Sequence, residues 1–139
     1  MRVGVVADTH GLVRPQVLKA LSGCEHILHA GDIGSPDVIE RLREVAPVTA
    51  IRGNVDRGVW ADEFPHTDMM QLGRYWIYLL HDRNTIDLDP AAAGVNIVIS
   101  GHSHKPGIEN HEGVLYINPG SVGPRRFTLP TAFAILEVT

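Results

Sequence analysis

The chain opens on an apolar run, Val3-Gly4-Val5-Val6-Ala7, that stops at Asp8-Thr9-His10-Gly11. Such a run without a polar break suits a strand covered on both faces. The spacing then turns helical. Pro15 fits a first turn, Val17, Leu18 and Leu21 make a stripe, and Gly23 can end it. Glu25 to Ala30 reads as a second strand, ending at Gly31-Asp32. Ser35-Pro36 is a helix start with Ser35 as cap, and Val38, Ile39, Leu42 and Val45 follow at helical spacing. Val48 to Ile51 is a third strand, ending at Arg52-Gly53-Asn54. Strands alternating with helices predict a parallel sheet with right-handed crossovers.

Beyond Asn54 the pattern changes. Residues 55–67 read as a long loop or short helix carrying Trp60 and Phe64. Asp68 to Leu72 and Tyr75 to Leu80 form a hairpin around Gly73-Arg74, ending at His81. Residues 82–94 suggest one short helix. Asn96 to Ser100 is a strand ending at Gly101-His102-Ser103-His104, and Gly113 to Ile117 is one ending at Asn118-Pro119-Gly120-Ser121. Thr131 to Val138 closes the chain. A helix-rich half followed by a strand-rich half suggests an α/β (α+β) fold of two stacked sheets flanked by helices. No linker divides it, so the expectation is one domain over residues 1–139.

Composition narrows the function. A formal charge of −4 makes a long nucleic acid an unexpected partner, and an anionic substrate would need a locally positive site. The single cysteine, Cys24, excludes an internal disulfide and suits a reducing, cytoplasmic setting. No apolar run approaches the ~20 residues of a membrane span. The start leads directly into a strand and does not read as a cleavable signal.

The polar residues at the strand ends carry the chemistry. They are Asp8 and His10, then Asp32, Asn54, His81, and finally His102 and His104. Open α/β sheets place their sites at the carboxyl ends of strands. Each residue has an ordinary explanation as a turn former or strand-end histidine. Recurrence at five strand ends favours a metal site. The set holds no cysteine, which excludes zinc–thiolate and iron–sulfur centres. Carboxylate, imidazole and amide donors suit manganese, iron, nickel, cobalt or zinc, and manganese is the expectation among them. Seven donors exceed one tetrahedral site and are enough for two divalent ions about 3.5–4 Å apart that share a carboxylate. Two such ions, set against Asp8, Asp32 and a bridging hydroxide, leave a small positive remainder. That remainder could attract a phosphoryl anion.

Asp8-Thr9-His10, Gly31-Asp32, Gly53-Asn54-Val55-Asp56, His81 and Gly101-His102-Ser103-His104 resemble the calcineurin-like metallophosphoesterase superfamily. The likeness is strongest to its small phosphodiesterases, and Asn118-Pro119-Gly120-Ser121 is similar to a motif of that subgroup. The resemblance spans residues 2 to 138. It implies a four-layer αββα sandwich of two mixed sheets, and a binuclear hydrolase with its metals at strand carboxyl ends. By position, Asp8, His10 and His104 would bind one metal with Asp32. Asp32 would bridge and hold the hydroxide, and Asn54, His81 and His102 would complete the second metal. A homodimer would be unsurprising for the family. Two readings compete: a non-catalytic interaction scaffold of the same fold, as in a retromer subunit, and a phosphomonoesterase or nucleotide phosphatase.

Two positions depart from the pattern. Val55 stands where many members carry a histidine that assists the transition state or leaving group, and Asp56 then has no imidazole to orient. This favours small phosphodiesters whose leaving groups depart without a proton donor. Asp82 stands where the family usually has glycine, and reads as solvated or as a partner of His81. Arg125 and Arg126 are candidates for clamping a phosphoryl oxygen. Arg52 reads as structural, Trp60 and Phe64 as core, and His26, His29, His66 and His111 as surface or structural residues.

Overall fold

The computed structural model describes residues 1–124 and 131–138, and among these nine strands and two α-helices form the regular structure. Strands β1 (Arg2–Val6), β2 (His26–His29) and β3 (Val48–Ala50) pair in parallel, in the order β3-β2-β1. The last strand, β9 (Ala134–Glu137), returns antiparallel beside β1 and makes the sheet mixed. The second sheet has the order β4-β5-β6-β8-β7. Its centre, β5 (Tyr75–Leu80), β6 (Ile97–Ile99) and β8 (Val114–Asn118), is parallel. Its edges, β4 (Thr67–Leu72) and β7 (Gly107–His111), run antiparallel.

The apolar runs explain the layers. Val3, Val5 and Ala7 on one face of β1 join Leu28, Ala30, Ile77, Leu79, Ile99 and Ile117 in a core between the sheets. Val6 on the other face packs with Val17, Leu21, Ile27, Val38, Ile39 and Leu42, beneath α1 (Pro15–Ala20) and α2 (Pro36–Arg43). Both faces of β1 are therefore dry, and its sequence shows no alternation. Tyr78, Leu80, Val98 and Val114 line the outer face of the second sheet, against Val95, Ile86 and Leu88.

Some expectations need adjustment. Ser35 occupies the N-cap position of α2 with extended backbone, but its hydroxyl makes no capping bond. Residues 82–94 form a 3₁₀ turn, Arg83–Thr85, and later turns, not a helix. Asp82 accepts from the Asn84 N–H and ties that turn locally, and Pro90 then blocks helical continuation. The outer layer on this side is thus a packed loop. Strand β7 was not expected from the pattern: every residue in it is exposed, so no apolar alternation marks it. It pairs with β8 through the two-residue turn Glu112-Gly113, whose φ angles of 53° and 82° suit a type I′ hairpin. Phe64 is buried and Trp60 packs against the same core, as expected. Cys24 is buried too. No helix among the described residues is long and apolar enough to cross a membrane.

Candidate metal centre

The loops that follow the strands keep pairing beyond the sheet. The N–H groups of Asp8, His10 and Gly11 donate to the carbonyls of Gly31, Asp32 and Ile33, at 2.8–2.9 Å. Asp8 and Asp32 thus lie on adjacent, bonded loops. Among the described residues, six non-glycines have positive φ, and five of them are candidate ligands: Asp8, His10, Asp32, His102 and His104. Strained backbone of this kind concentrates at functional sites, where surrounding contacts hold it.

Those contacts come from residues that carry no metal-ligand signature. Asp56, buried, accepts N–H bonds from Ile33, Gly34 and Gly53 at 2.9–3.0 Å and joins the Asp32 loop to the Asn54 loop. Asn118 donates to the Gly101 carbonyl and Ser103 hydroxyl at 2.9 and 3.1 Å, steadying the His102–His104 loop. Ser121 donates to the Asp8 carbonyl at 3.0 Å, and Arg14 holds the carbonyls of Val122 and Gly123 at 2.7 and 2.9 Å. Two glycines permit the close approach. A Cβ on Gly53 would collide with Oδ1 and the backbone nitrogen of Asp32, and one on Gly101 would lie 2.8 Å from Oδ2 of Asp8.

All seven candidate side chains converge, with unequal depth. Asp8, Asp32, His81 and His104 are buried. Donor atoms of Asp8, His10 and His104 lie within 4.8 Å of one another, as do those of Asp8, Asp32 and His81. Oδ2 of Asp32 is 3.1 Å from Nε2 of His81 and 3.6 Å from Nε2 of His10, between the two groups. His10 and His104 face each other, Nε2 to Nε2, at 3.3 Å. His102 stands at the rim with its ring 5.2 Å from that of His81, and its backbone N–H donates to Oδ2 of Asp8 at 3.1 Å. Asp82 faces His102 at 3.9 Å, so the histidine it approaches is His102. Arg125 and Arg126 lie outside the described residues.

The donor set fits divalent cations. Around one ion with bonds near 2.2 Å, neighbouring ligand atoms stand about 3.1–3.6 Å apart. His81 holds Nδ1 2.8 Å from the Ala30 carbonyl, so Nδ1 carries a proton and Nε2 is turned to the centre. One terminal atom of the Asn54 amide lies 3.1 Å from that Nε2 and 3.2–3.3 Å from both Asp32 oxygens. As the amide nitrogen, that atom donates to the Asp32 carboxylate; the opposite amide orientation would offer its oxygen to a cation held there.

Protons occupy the same acceptors when no cation does. Burial pushes His81 down, but the Asp32 hydrogen bond, the Ala30 carbonyl and the charges of Asp32 and Asp8 outweigh it and raise its pKa. Burial pushes Asp32 up, yet His81, the Val55 N–H and His10 together lower it.

His29 shows how a nearby histidine can be structural. It is fully buried, its Nδ1 accepts from the Gly31 N–H, and its Nε2–H meets the Thr9 hydroxyl at 3.0 Å. That hydroxyl donates onward to the Ile33 carbonyl at 2.7 Å. Burial first, then the charge of His81, lowers its pKa to about 3. The unfolded chain takes up this proton near pH 6.5 while the folded protein refuses it, so His29 makes stability fall as pH drops from 6.5 toward 3. The loss from this residue should reach roughly 3 kcal/mol by pH 4.5. Urea denaturation of the metal-free protein at pH 7 and 4.5, compared with His29→Asn, measures it; an equal pH slope in both proteins would refute the assignment.

Beside the ligands lies a cleft of about 640 Å³, lined on one side by Asn54, His81 and His102 and elsewhere by Arg52, Arg57, His66, Thr67 and Thr85. Arg57 and His66 line this cleft but were not found by the spacing argument, because neither ends a strand.

Two mixed sheets with oxygen and nitrogen donors gathered at one rim define a class, an α/β sandwich with a candidate metal centre at its edge. Residues 1–139 match the family model described as the calcineurin-like phosphoesterase superfamily domain. The chain is 32% identical over 147 residues to a probable metallophosphoesterase of Methanothermobacter thermautotrophicus, covering 97% of this chain and 85% of the relative. Vps29 of Entamoeba histolytica, solved in complex with Zn²⁺, is similar at 27% identity with a TM-score of 0.80, over 99% of this chain and 86% of that one. The phosphoesterase YfcE of E. coli is similar at 25% identity with a TM-score of 0.77, over 99% and 88%. The chain belongs to the calcineurin-like phosphoesterase superfamily.

Proposed function

We propose that the protein is a metal-dependent phosphodiesterase that works with two divalent cations, manganese foremost. The observation that carries this reading is the convergence of Asp8, His10, Asp32, Asn54, His81, His102 and His104 from five strand ends. In this reading Asp8, His10 and His104 hold one cation, Asn54, His81 and His102 the other, and Asp32 both. Bound there, the cations would supply a nucleophilic hydroxide at neutral pH and neutralise the phosphoryl oxygens.

The chain's own residues supply orientation. The Ala30 carbonyl sets the tautomer of His81, and the His102 backbone N–H steadies Oδ2 of Asp8. Val55 donates its N–H to Oδ1 of Asp32 at 3.1 Å while its side chain, 45% exposed, offers no proton to a departing group. Substrates whose leaving groups are stable as anions are therefore favoured, which points to activated diesters.

The test is turnover by purified protein with added Mn²⁺. Bis-p-nitrophenyl phosphate should be cleaved. A phenyl leaving group, about as basic as tyrosine (pKa about 10), should slow the reaction by about a hundredfold or more. Val55→His should narrow that gap. Absence of turnover with Mn²⁺, Ni²⁺, Co²⁺ and Zn²⁺ alike would defeat the proposal. Faster cleavage of p-nitrophenyl phosphate than of the diester would favour a monoesterase.

The likeness to Vps29 supports a second reading, a protein-interaction scaffold of the same fold. Retention of all seven donors weighs against it. If metal content is the same in wild type and in Asp8→Asn, the scaffold reading gains.

A further inference from the structure

If Val55 gives the leaving group no proton, other groups must accommodate the charge that builds as its bond to phosphorus breaks. The cleft beside Asn54, His81 and His102 is where that group would lie. Its volume of about 640 Å³ falls within the range of sites that enclose nucleotide-sized ligands. The Arg52 N–H donates to the Pro65 carbonyl at 2.9 Å, which holds the chain leading into His66 alongside Arg52-Gly53-Asn54.

The charges lining this cleft are mostly committed. Arg52 pairs with Asp62 at 3.5 Å. Asp56 is taken up by three backbone N–H groups. Asp82 accepts from Asn84 and faces His102. Arg57, three residues after Asn54, lines the cleft and makes no ion pair with a described residue. The uncommitted charge is a planar guanidinium, the group best matched to a phosphate. His66, Thr67 and Thr85 add hydrogen-bonding groups around it.

We propose that this cleft receives the leaving half of the substrate, that this half is itself an organic phosphate, and that Arg57 binds it. The scissile linkage is then a phosphoanhydride between two phosphate monoesters. The inference rests on the phosphodiesterase reading and names its substrate class. In the reaction, an oxygen derived from water bonds to one phosphorus and gives its proton to solvent. The bridging P–O bond breaks, and its electron pair stays on the second phosphate. Two phosphate monoesters result, with no change of oxidation state. A phosphate whose second pKa is about 6 leaves as the dianion at neutral pH, so it needs no acid at position 55.

The experiment compares Mn²⁺-loaded wild type, Arg57→Ala and Arg57→Lys on two substrates, bis-p-nitrophenyl phosphate and diadenosine diphosphate. Calorimetric titration with AMP, the leaving half of the second, gives a readout independent of turnover. Arg57→Ala should lower kcat/KM on diadenosine diphosphate by about thirtyfold and weaken AMP binding by about tenfold, while the aryl diester loses about threefold. Arg57→Lys should recover part of both losses. Metal content, measured alongside, should be the same in all three proteins. Equal losses on both substrates, or unaltered AMP binding, would overturn the role of Arg57. Turnover of the aryl diester without diadenosine diphosphate would overturn the substrate class alone. Turnover of neither would remove the phosphodiesterase reading and this inference with it.

Discussion

Asp32→Asn should lower turnover of bis-p-nitrophenyl phosphate by about a thousandfold or more, and the protein should retain fewer metal ions than wild type. Asp32 is the carboxylate that lies between the two donor groups, 3.1 Å from His81 and 3.6 Å from His10. An asparagine there keeps the volume and one acceptor but removes the negative charge that two cations would share. Repulsion between the cations would then be weakly offset, and one site should empty first. The metal-free protein provides a separate check. The hydrogen bond and charge of Asp32 help raise the His81 pKa, so His81 should titrate lower in the variant by NMR. An unshifted His81 together with unchanged metal content would show that Asp32 does not hold the centre.

Gly53→Ala should do comparable damage without removing any polar group. The new methyl would collide with Oδ1 and the backbone nitrogen of Asp32. The backbone there has little room to retreat, because the Gly53 N–H is bonded to Oδ2 of Asp56 at 2.9 Å. Either the Asp32 carboxylate rotates off its partners or the loop after β3 moves. Mn²⁺ affinity should fall by about a hundredfold and folding stability by about 1–3 kcal/mol. Titration calorimetry and urea denaturation measure the two. Wild-type affinity would mean that the loops adjust freely, contrary to the bonding around Asp56.

The legible part of this fold was the part written in apolar runs. Val3 to Ala7 and Val48 to Ile51 announced buried parallel strands because both their faces are dry. The edge strand β7 was hidden because it is exposed along its whole length and has no burial pattern to display. Residues 82–94 misled because an alanine-rich stretch suggests a helix, whereas Asp82 and Pro90 impose turns. At the site, the seven polar residues at five strand ends were visible as a recurrence. The supporting roles were not: Asp56 was noticed within a motif, but nothing in its spacing shows that it holds two loops together through backbone N–H groups.

By itself, the sequence determined which residues end strands, and hence that seven donors would face one rim. Periodicity carries that information, since a strand's burial and direction follow from the order of its side chains. Tertiary structure alone decided how those donors are paired. It turned Asp82 toward His102, buried His29 as a neutral structural histidine, and left Arg57 uncommitted in the cleft beside Asn54. Such choices depend on distances of a few ångströms between loops remote in the chain, and only the packing of the two sheets sets those distances.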